Sequence, residues 1–139
     1  MVEIRCARPE DRTFWYTLDR HLPEAEFDRK VQSGQCYVLT VDQEPRGVLR
    51  YNLFWDSIPF CTLLYIDPDC QRQGLGRQLM ARWEANMKAA GHTLVLTSTQ
   101  SDEAAQHFYR RLGYRDCGGL VLTAPGHAQP MELILCKEL

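Results

Sequence analysis

The sequence predicts an α+β (mixed α/β) fold, with a mixed, mostly antiparallel seven-stranded sheet and helices on both of its faces. Near the middle of the chain, a β-branched and aromatic run, a glycine-containing loop and an amphipathic helix follow one another. Three consecutive strands precede that loop without a helix between them, and such strands must be joined as antiparallel hairpins. A helix separates the fourth and fifth strands, which favours parallel pairing of those two. The predicted element order is β-α-α-β-β-β-α-β-α-β-β.

The first quarter of the chain predicts one strand and two helices. Residues 1–6 alternate apolar and polar side chains, which is typical of a strand. A helix begins at Pro9 with acidic residues in its first turn, and residues 21–23 break it. A second helix begins at Pro23 and is stopped by Gly34.

The next segment predicts the three strands that form hairpins. Its apolar and aromatic runs are separated by short polar stretches rich in turn-forming residues. The predicted strands are 37–41, 48–55 and 58–66, and the predicted turns are 42–47 and 56–57.

The second half of the chain predicts two helices and three strands. One helix follows the glycine-containing loop and ends at Gly91. The other is capped by Ser101, has acids in its first turn and ends at Gly113. The predicted strands are 93–99, 114–123 and 131–137, with a Gly- and Pro-containing loop before the last.

Length and composition bound the class of protein. The 139 residues fit a single domain spanning 1–139. A net charge of −2 without a basic stripe argues against nucleic-acid binding, and no apolar run is long enough to cross a membrane. The chain opens without the apolar region of a secretory signal. Six cysteines include no Cys-x-x-Cys pair, so the expectation is a cytoplasmic protein with reduced thiols and no metal.

The loop between the fourth strand and the third helix predicts an anion site. Its glycines carry no Cβ, so the backbone can turn sharply and approach a ligand closely. The first amides of the helix have no partners within it, and together with the helix dipole they attract a phosphate or pyrophosphate. The predicted phosphate-binding residues are Gln71, Arg72, Gln73, Gly74, Leu75, Gly76 and Arg77.

Two other phosphate-binding loops fit this stretch less well. A P-loop requires Lys and then Ser or Thr after its last glycine, whereas Arg77 and Gln78 follow Gly76. A dinucleotide-binding loop requires a third small residue, and that position is Leu79. The next strand ends in residues 97–99 without the acid that would bind a ribose. A dinucleotide-binding oxidoreductase is retained as an alternative.

Two blocks of the sequence resemble motifs of the GNAT N-acetyltransferase superfamily. Gln71, Gly74 and Gly76 match its pyrophosphate loop, Gln/Arg-x-x-Gly-x-Gly/Ala, and residues 64–68 resemble its Leu-x-Val-x-Pro strand end. The second block, Ala105-x-x-Phe108-Tyr109-x-x-Leu112-Gly113-Tyr114, resembles its Ala-x-x-Leu-Tyr-x-x-Leu-Gly-Phe. The two blocks occur in the superfamily's order, separated by a helix and a strand.

The resemblance covers about residues 60–115 closely and implies an acetyl-CoA-dependent N-acetyltransferase. Strands four and five would splay apart beside Leu64 and Ile66, whose backbone groups would line the pantetheine arm. Phe108 would pack under the cofactor, and Tyr109 would be the catalytic general acid that protonates the CoA thiolate. Asp102 stands where the second block often has Asn, and because ionised Asp only accepts hydrogen bonds, that pantetheine contact stays open.

The expected acceptor is the primary amine of a small molecule, which attacks the thioester directly in a ternary complex. The resemblance frames the acceptor site with the first two helices and the loop before strand seven, where carboxylates would steer a cationic amine. The general base stays open among Asp19, His21, Asp56, Asp67 and a chain of waters, and an amine that arrives neutral would need none. The alternatives are a protein or peptide amine as acceptor and a non-catalytic acyl-CoA-binding sensor module. A homodimer through exposed strand edges is a further option without a local sequence signature.

Overall fold

The computed structural model describes residues 1–139 and contains the predicted seven strands and four α-helices. The strands are β1 Val2–Cys6, β2 Cys36–Val41, β3 Glu44–Phe54, β4 Ile58–Ile66, β5 Leu94–Gln100, β6 Arg115–Leu120 and β7 Glu132–Glu138. The helices are α1 Arg12–Leu18, α2 Glu24–Ser33, α3 Leu75–Ala89 and α4 Ala105–Arg111. Short 3₁₀ turns occupy Pro9–Asp11 and Pro68–Cys70.

All seven strands form one sheet in the order β1-β2-β3-β4-β5-β7-β6. Only β4 and β5 are parallel, and every other neighbouring pair is antiparallel. The mixed, mostly antiparallel sheet predicted from the sequence is therefore confirmed.

Apolar cores cover both faces of the sheet. On one face, Leu79, Met80 and Trp83 of α3 and Tyr109 of α4 pack against buried strand residues. On the other face, α1 and α2 pack against the sheet, and Trp15 and Phe27 are fully buried there. Helices therefore lie on both faces, as the element order predicted. None of the helices combines the length and apolarity that crossing a membrane requires.

Two predicted boundaries in the second half of the chain are wrong. Strand β6 is shorter than the predicted 114–123, because its neighbour β7 begins at Glu132, opposite Leu120, and offers no partner beyond that point. Helix α4 begins at Ala105, and Ser101 does not cap it. The Ser101 amide instead donates to the Met131 carbonyl oxygen at 2.8 Å, so this residue belongs to a turn before the helix.

The predicted boundaries in the first half shift for local reasons. Residues Pro9–Asp11 form a 3₁₀ turn before α1, in which the Asp11 carboxylate accepts from the Arg8 amide at 2.7 Å. Strand β3 begins at Glu44, earlier than predicted, because Asp42 and Gln43 both take positive φ and complete the turn in two residues.

Candidate active site

Strands β4 and β5 pair only near their starts and then diverge. Their register joins Phe60 to Leu96 and Cys61 to Thr97, and no later pair exists. At this level the β3–β4 register shifts, and Thr62 is the extra residue of a β-bulge. Because a bulge bends its strand, β4 turns away from β5 beyond this point. The predicted splay is therefore present, and a cleft opens there.

The cleft at this divergence has a volume of about 490 Å³. Residues 61–65 of β4 line one wall and residues 98–100 of β5 line the other, with Tyr109 between them. The remaining lining residues are His21, Arg50, Glu103, Ala105, Gln129 and Glu132. The cleft therefore collects side chains from both faces of the sheet.

The N-terminus of α3 presents a row of free amides beyond the end of β4. None of the N–H groups of residues 71–77 donates to an acceptor within the protein. Gly74 is the N-cap, with φ of 77°, and the 15-residue helix Leu75–Ala89 follows it. The side chains of Arg72 and Arg77 are exposed beside these amides. Free donors, the helix dipole and two cations form the kind of site that binds a phosphate anion.

The structure brings five of the predicted cofactor-site residues together. The Gln71 side-chain amide donates to the Ile66 carbonyl oxygen at 3.0 Å and fixes the loop to the end of β4. A Cβ on Gly76 would lie 3.5 Å from the Phe108 ring and 3.8 Å from the side chains of Leu64 and Ile66. The loop, the strand end and Phe108 therefore form one continuous surface.

The two glycines of the loop differ in conformation. Gly74 takes the left-handed conformation that a side chain disfavours. Gly76 lies inside the first turn of α3, and the space around it would admit a methyl group at ordinary contact distances. The sharp turn predicted for both glycines is therefore made at Gly74 and not at Gly76. Arg72 also has positive φ, at 65°.

The Tyr109 side chain is 5% exposed and reaches the cleft. Its ring packs edge-on against Phe108 and Tyr114, at centroid distances of 5.2 Å and 5.8 Å. No hydrogen bond of normal geometry holds its hydroxyl, and the hydroxyl of neighbouring Thr97 donates to the Cys61 carbonyl oxygen at 3.2 Å. Burial raises the pKa of Tyr109 well above its ordinary value, and nearby Cys61 adds to the shift. The hydroxyl therefore carries its proton at neutral pH.

Cys61 is a cleft residue that the sequence did not indicate. Its thiol is 1% exposed and lies 3.5 Å from the Leu63 carbonyl oxygen. Burial raises the pKa of Cys61 to about 12. Because the thiolate is the nucleophilic form, this thiol is not activated for attack.

Asp19, one of the four candidate bases, is committed to structural hydrogen bonds. Its fully buried carboxylate accepts from the Trp15 indole at 3.0 Å, the Arg50 guanidinium at 2.8 Å and the His21 amide at 3.1 Å. Burial by itself would raise the pKa of Asp19, but the hydrogen bond and charge of Arg50 outweigh it and hold that pKa below its usual range. Asp19 is therefore a structural anion.

Only His21 among the four candidate bases lines the cleft, and its side chain is exposed. Asp67 forms an ion pair with Arg46 at 3.3 Å and accepts from the Asp69 amide at 2.9 Å. Asp56 is exposed in the β3–β4 turn, at the far end of β4 from the phosphate loop. The cleft therefore contains one of the base candidates that the sequence suggested.

Two glutamates line the cleft although the sequence did not single them out for the site. Glu132 lies opposite Gln100 in the β5–β7 register and accepts from the Gln129 side chain at 2.9 Å. Glu103 accepts from the Gln100 amide at 2.9 Å. The position of Glu132 depends on strand pairing between distant segments, which no local motif encodes, whereas Glu103 is held by partners three and four residues away.

A model of the acetyltransferase (GNAT) domain family matches residues 32–116, which is more than half of the chain. This match includes residues 71–77 and Tyr109. No curated protein matches the chain.

Solved structures share the fold over nearly the whole chain. Ard1 from Thermoplasma volcanium superposes with a TM-score of 0.86 at 16% identity, over 99% of this chain and 97% of that one. Arabidopsis thaliana Naa50, solved with the bisubstrate analogue CoA-Ac-MVNAL, gives 0.81 at 11% identity over 99% of both chains. N-acetylglutamate synthase from Neisseria gonorrhoeae, complexed with coenzyme A and N-acetyl-glutamate, gives 0.81 at 14% identity, over 100% of this chain and 35% of that one.

Proposed function

We infer that this chain, which belongs to the GNAT acetyltransferase family and uses acetyl-CoA as its donor, acetylates the primary amine of a small molecule. The observation that carries the proposal is the cleft between β4 and β5, which has free amides at one end and the Tyr109 hydroxyl inside. A volume of about 490 Å³ lies within the range of small-molecule sites, roughly 300–1,000 Å³.

In this proposal the chain holds the donor along the surface already described. The amides of residues 72–77 bind the diphosphate, with Gln71, Arg72 and Arg77 at its edge. Phe108 supports the pantetheine arm, and the β4 backbone at Leu64 and Ile66 lines it. Beyond Cys61, β4 has no partner in β5, so amides that face the cleft are free to donate to the thioester oxygen. Such donors in a dry cleft stabilise the negative charge that develops there.

The transfer then needs one proton at the leaving sulfur. The neutral amine nitrogen attacks the carbonyl carbon, a C–N bond forms and the C–S bond breaks with its electron pair on sulfur. Tyr109 donates its hydroxyl proton to that sulfur and recovers a proton released by the amine through water. The products are the N-acetyl amine and CoA with its thiol restored.

Direct attack in a ternary complex is favoured over an acetyl-enzyme. Cys61 is a nucleophilic residue type inside the cleft, but with a pKa raised to about 12 it stays protonated at neutral pH.

All six cysteine thiols are free, which supports a reducing, cytoplasmic setting for the enzyme.

The second candidate acceptor is the N-terminal amine of a peptide. Its support is the likeness in fold to Naa50, whose bisubstrate analogue carries the peptide sequence MVNAL.

Acetyl-CoA-dependent thiol release with parallel panels of small amines and short peptides tests the proposal. We expect turnover with at least one small amine. Turnover confined to peptides would overturn the small-molecule assignment, and binding of acetyl-CoA without release in any panel would indicate the sensor module. In parallel thermal-shift runs acetyl-CoA should raise the melting temperature while NAD should not, because only a ligand of the native state stabilises it.

A further inference from the structure

The cleft is lined by more unpaired carboxylates than unpaired cations. Glu103 and Glu132 both line it, and each has only neutral hydrogen-bond partners: the Gln100 amide and the Thr99 hydroxyl for Glu103, and the Gln129 side chain for Glu132. Neither carboxylate has a cationic partner, and each has lone pairs free to accept from a ligand.

Arg50 is the one Arg or Lys among the lining residues, and its positive charge is already paired with a carboxylate of the protein. Its guanidinium bonds the buried Asp19 carboxylate at 2.8 Å and the Thr62 hydroxyl at 3.0 Å. His21, whose amide donates to the same Asp19 carboxylate, also lines the cleft and has an exposed ring. An acceptor that carries a carboxylate would thus meet two uncompensated anions and no free guanidinium or ammonium.

The register of the sheet places Glu132 on the acceptor's side of the cleft. Thr97 and Leu135 are paired and face α3 and α4, where Leu135 is part of the core that contains Tyr109. Side chains alternate along a strand, so the pair Gln100 and Glu132, three positions further along, faces the opposite side. That is the side on which α1 and α2 pack.

The Tyr109 hydroxyl marks the reaction point in the same cleft. Its side chain is 95% shielded from solvent and its hydroxyl has no hydrogen bond of normal geometry, although it reaches the cleft. The hydroxyl itself is open to the cleft, so a ligand group beside it would meet a free donor on an otherwise buried side chain. The glutamates are therefore part of a ligand site with a reaction point within it.

We propose that the acceptor is a small aliphatic diamine or polyamine without a carboxylate, and that Glu132, assisted by the charge of Glu103, binds its non-reacting ammonium group. This inference rests on the proposed function. One amine must lose its proton to attack the thioester, so only an acceptor with a second cationic group balances the carboxylates that remain. A peptide whose single ammonium is the reacting group has no second cation to pair with Glu103 and Glu132.

Three acceptors with the same four-carbon chain isolate the second group: putrescine, n-butylamine and γ-aminobutyrate. We expect kcat/KM for putrescine to exceed that for n-butylamine by roughly tenfold, the factor that one charge-assisted hydrogen bond supplies. The value for γ-aminobutyrate should be the lowest of the three. Equal values for all three, or turnover confined to peptides, would overturn the inference while leaving acetyl transfer intact.

The matched variants are Glu132→Gln, Glu103→Gln and Glu138→Gln. Glutamine keeps the hydrogen-bonding shape and removes the charge. Glu132→Gln should raise KM for putrescine until kcat/KM for putrescine equals that for n-butylamine. The same variant should change kcat/KM for n-butylamine by no more than about twofold. Glu103→Gln should raise KM for putrescine by a smaller factor. Glu138 lies on the same strand but pairs with Arg115 at 2.9 Å outside the cleft, so its variant should change nothing. A uniform loss with all amines in Glu132→Gln would contradict the assignment.

Calorimetry separates a failure of this inference from a failure of the proposed function. Putrescine should bind the protein saturated with CoA, and that binding should be lost in Glu132→Gln and kept in Glu138→Gln. If no amine is acetylated, the small-molecule function fails, but this binding pattern would still support the site. If putrescine does not bind either, the inference is overturned as well.

Discussion

Tyr109 is the residue on which the proposed chemistry depends most directly. Its neighbours hold the ring edge-on between Phe108 and Tyr114, so the hydroxyl is positioned by packing and has no competing hydrogen bond of normal geometry. Model phenols and thiols have pKa values of roughly 10 and 8.5. Burial raises the pKa of Tyr109, and the same dry surroundings raise the proton affinity of a thiolate formed beside it. Proton transfer to the sulfur therefore stays feasible.

Tyr109→Phe should lower kcat by about 10²- to 10⁴-fold, the range typical of losing a general acid, while the Kd for CoA stays unchanged. Thiol release measures the first quantity and calorimetry the second. Tyr37→Phe is the matched control, because its hydroxyl bonds Asn86 at 3.0 Å outside the cleft. A Tyr109→Phe enzyme with undiminished kcat would remove the residue from the mechanism.

At the scale of elements, the two glycines at the N-terminus of α3 differ in what the fold requires of them. Gly74 lets the chain enter the helix with its amides pointing outward, since it takes φ of 77°. Gly76 lies in the first helical turn, where a methyl group would meet Phe108 and the end of β4 at ordinary contact distances. The fold of the loop therefore requires a glycine at position 74 and not at position 76.

Alanine substitutions separate these two glycines. Gly74→Ala should cost roughly 1–2 kcal/mol for the left-handed conformation and raise the Kd for CoA by about tenfold, because the loop amides move. Gly76→Ala adds a methyl group without a clash within the protein, and its better helix propensity should stabilise α3 by up to about 1 kcal/mol. Calorimetric Kd values and melting temperatures measure both effects. Equal Kd values in the two variants would contradict this division.

The β-bulge at Thr62 is the element that converts a continuous sheet into a cleft. It comes directly after the last β4–β5 pair, and the Thr62 hydroxyl accepts from Arg50 at 3.0 Å. A bulge held by a side chain in this way bends β4 at a defined residue.

At the scale of the whole molecule, Asp19 and Arg50 join parts of the chain that are distant in sequence. Asp19 links the end of α1 and the His21 segment to β3, and Arg50 continues the network to the β4 bulge. Removing one partner of such a buried pair leaves an uncompensated charge and costs roughly 3–5 kcal/mol. The network therefore connects α1 and the His21 segment to β4, the strand that diverges from β5 at the cleft.

Asp19→Asn should destabilise the fold by roughly 3 kcal/mol at neutral pH and flatten the pH dependence of stability in acid. Because the native pKa of Asp19 is held below its unfolded value of about 3.9, its contribution is full above that pH and is lost as pH falls through the native pKa. Urea denaturation at neutral pH and between about pH 5 and pH 2 measures this.

The control for that comparison is Glu26→Gln, an exposed carboxylate in an ion pair with Arg29, for which we expect little change. A parallel fall of stability with pH in wild type and Asp19→Asn would show that Asp19 contributes nothing to acid stability.

The sequence by itself determined the element order and the mixed sheet, and it singled out residues 71–77 and Tyr109 for the proposed site. These follow from local signals, because strand and helix periodicity, glycine placement and short motifs act over a few neighbouring residues. Element ends were less well determined: β6 stops where its partner β7 stops, and Ser101 bonds Met131 across the sheet instead of capping α4. Those ends depend on partners elsewhere in the chain.

Only the tertiary structure decided which polar groups share the cleft. Cys61, Glu103 and Glu132 line it, whereas Asp56 and Asp67 do not. Asp19, a candidate base in the sequence, is buried and neutralised by Arg50. The physical reason is that strands dozens of residues apart in sequence pair with one another, and this pairing decides which side chains become neighbours. The neighbours and the burial of a side chain then set whether its charge is paired or free.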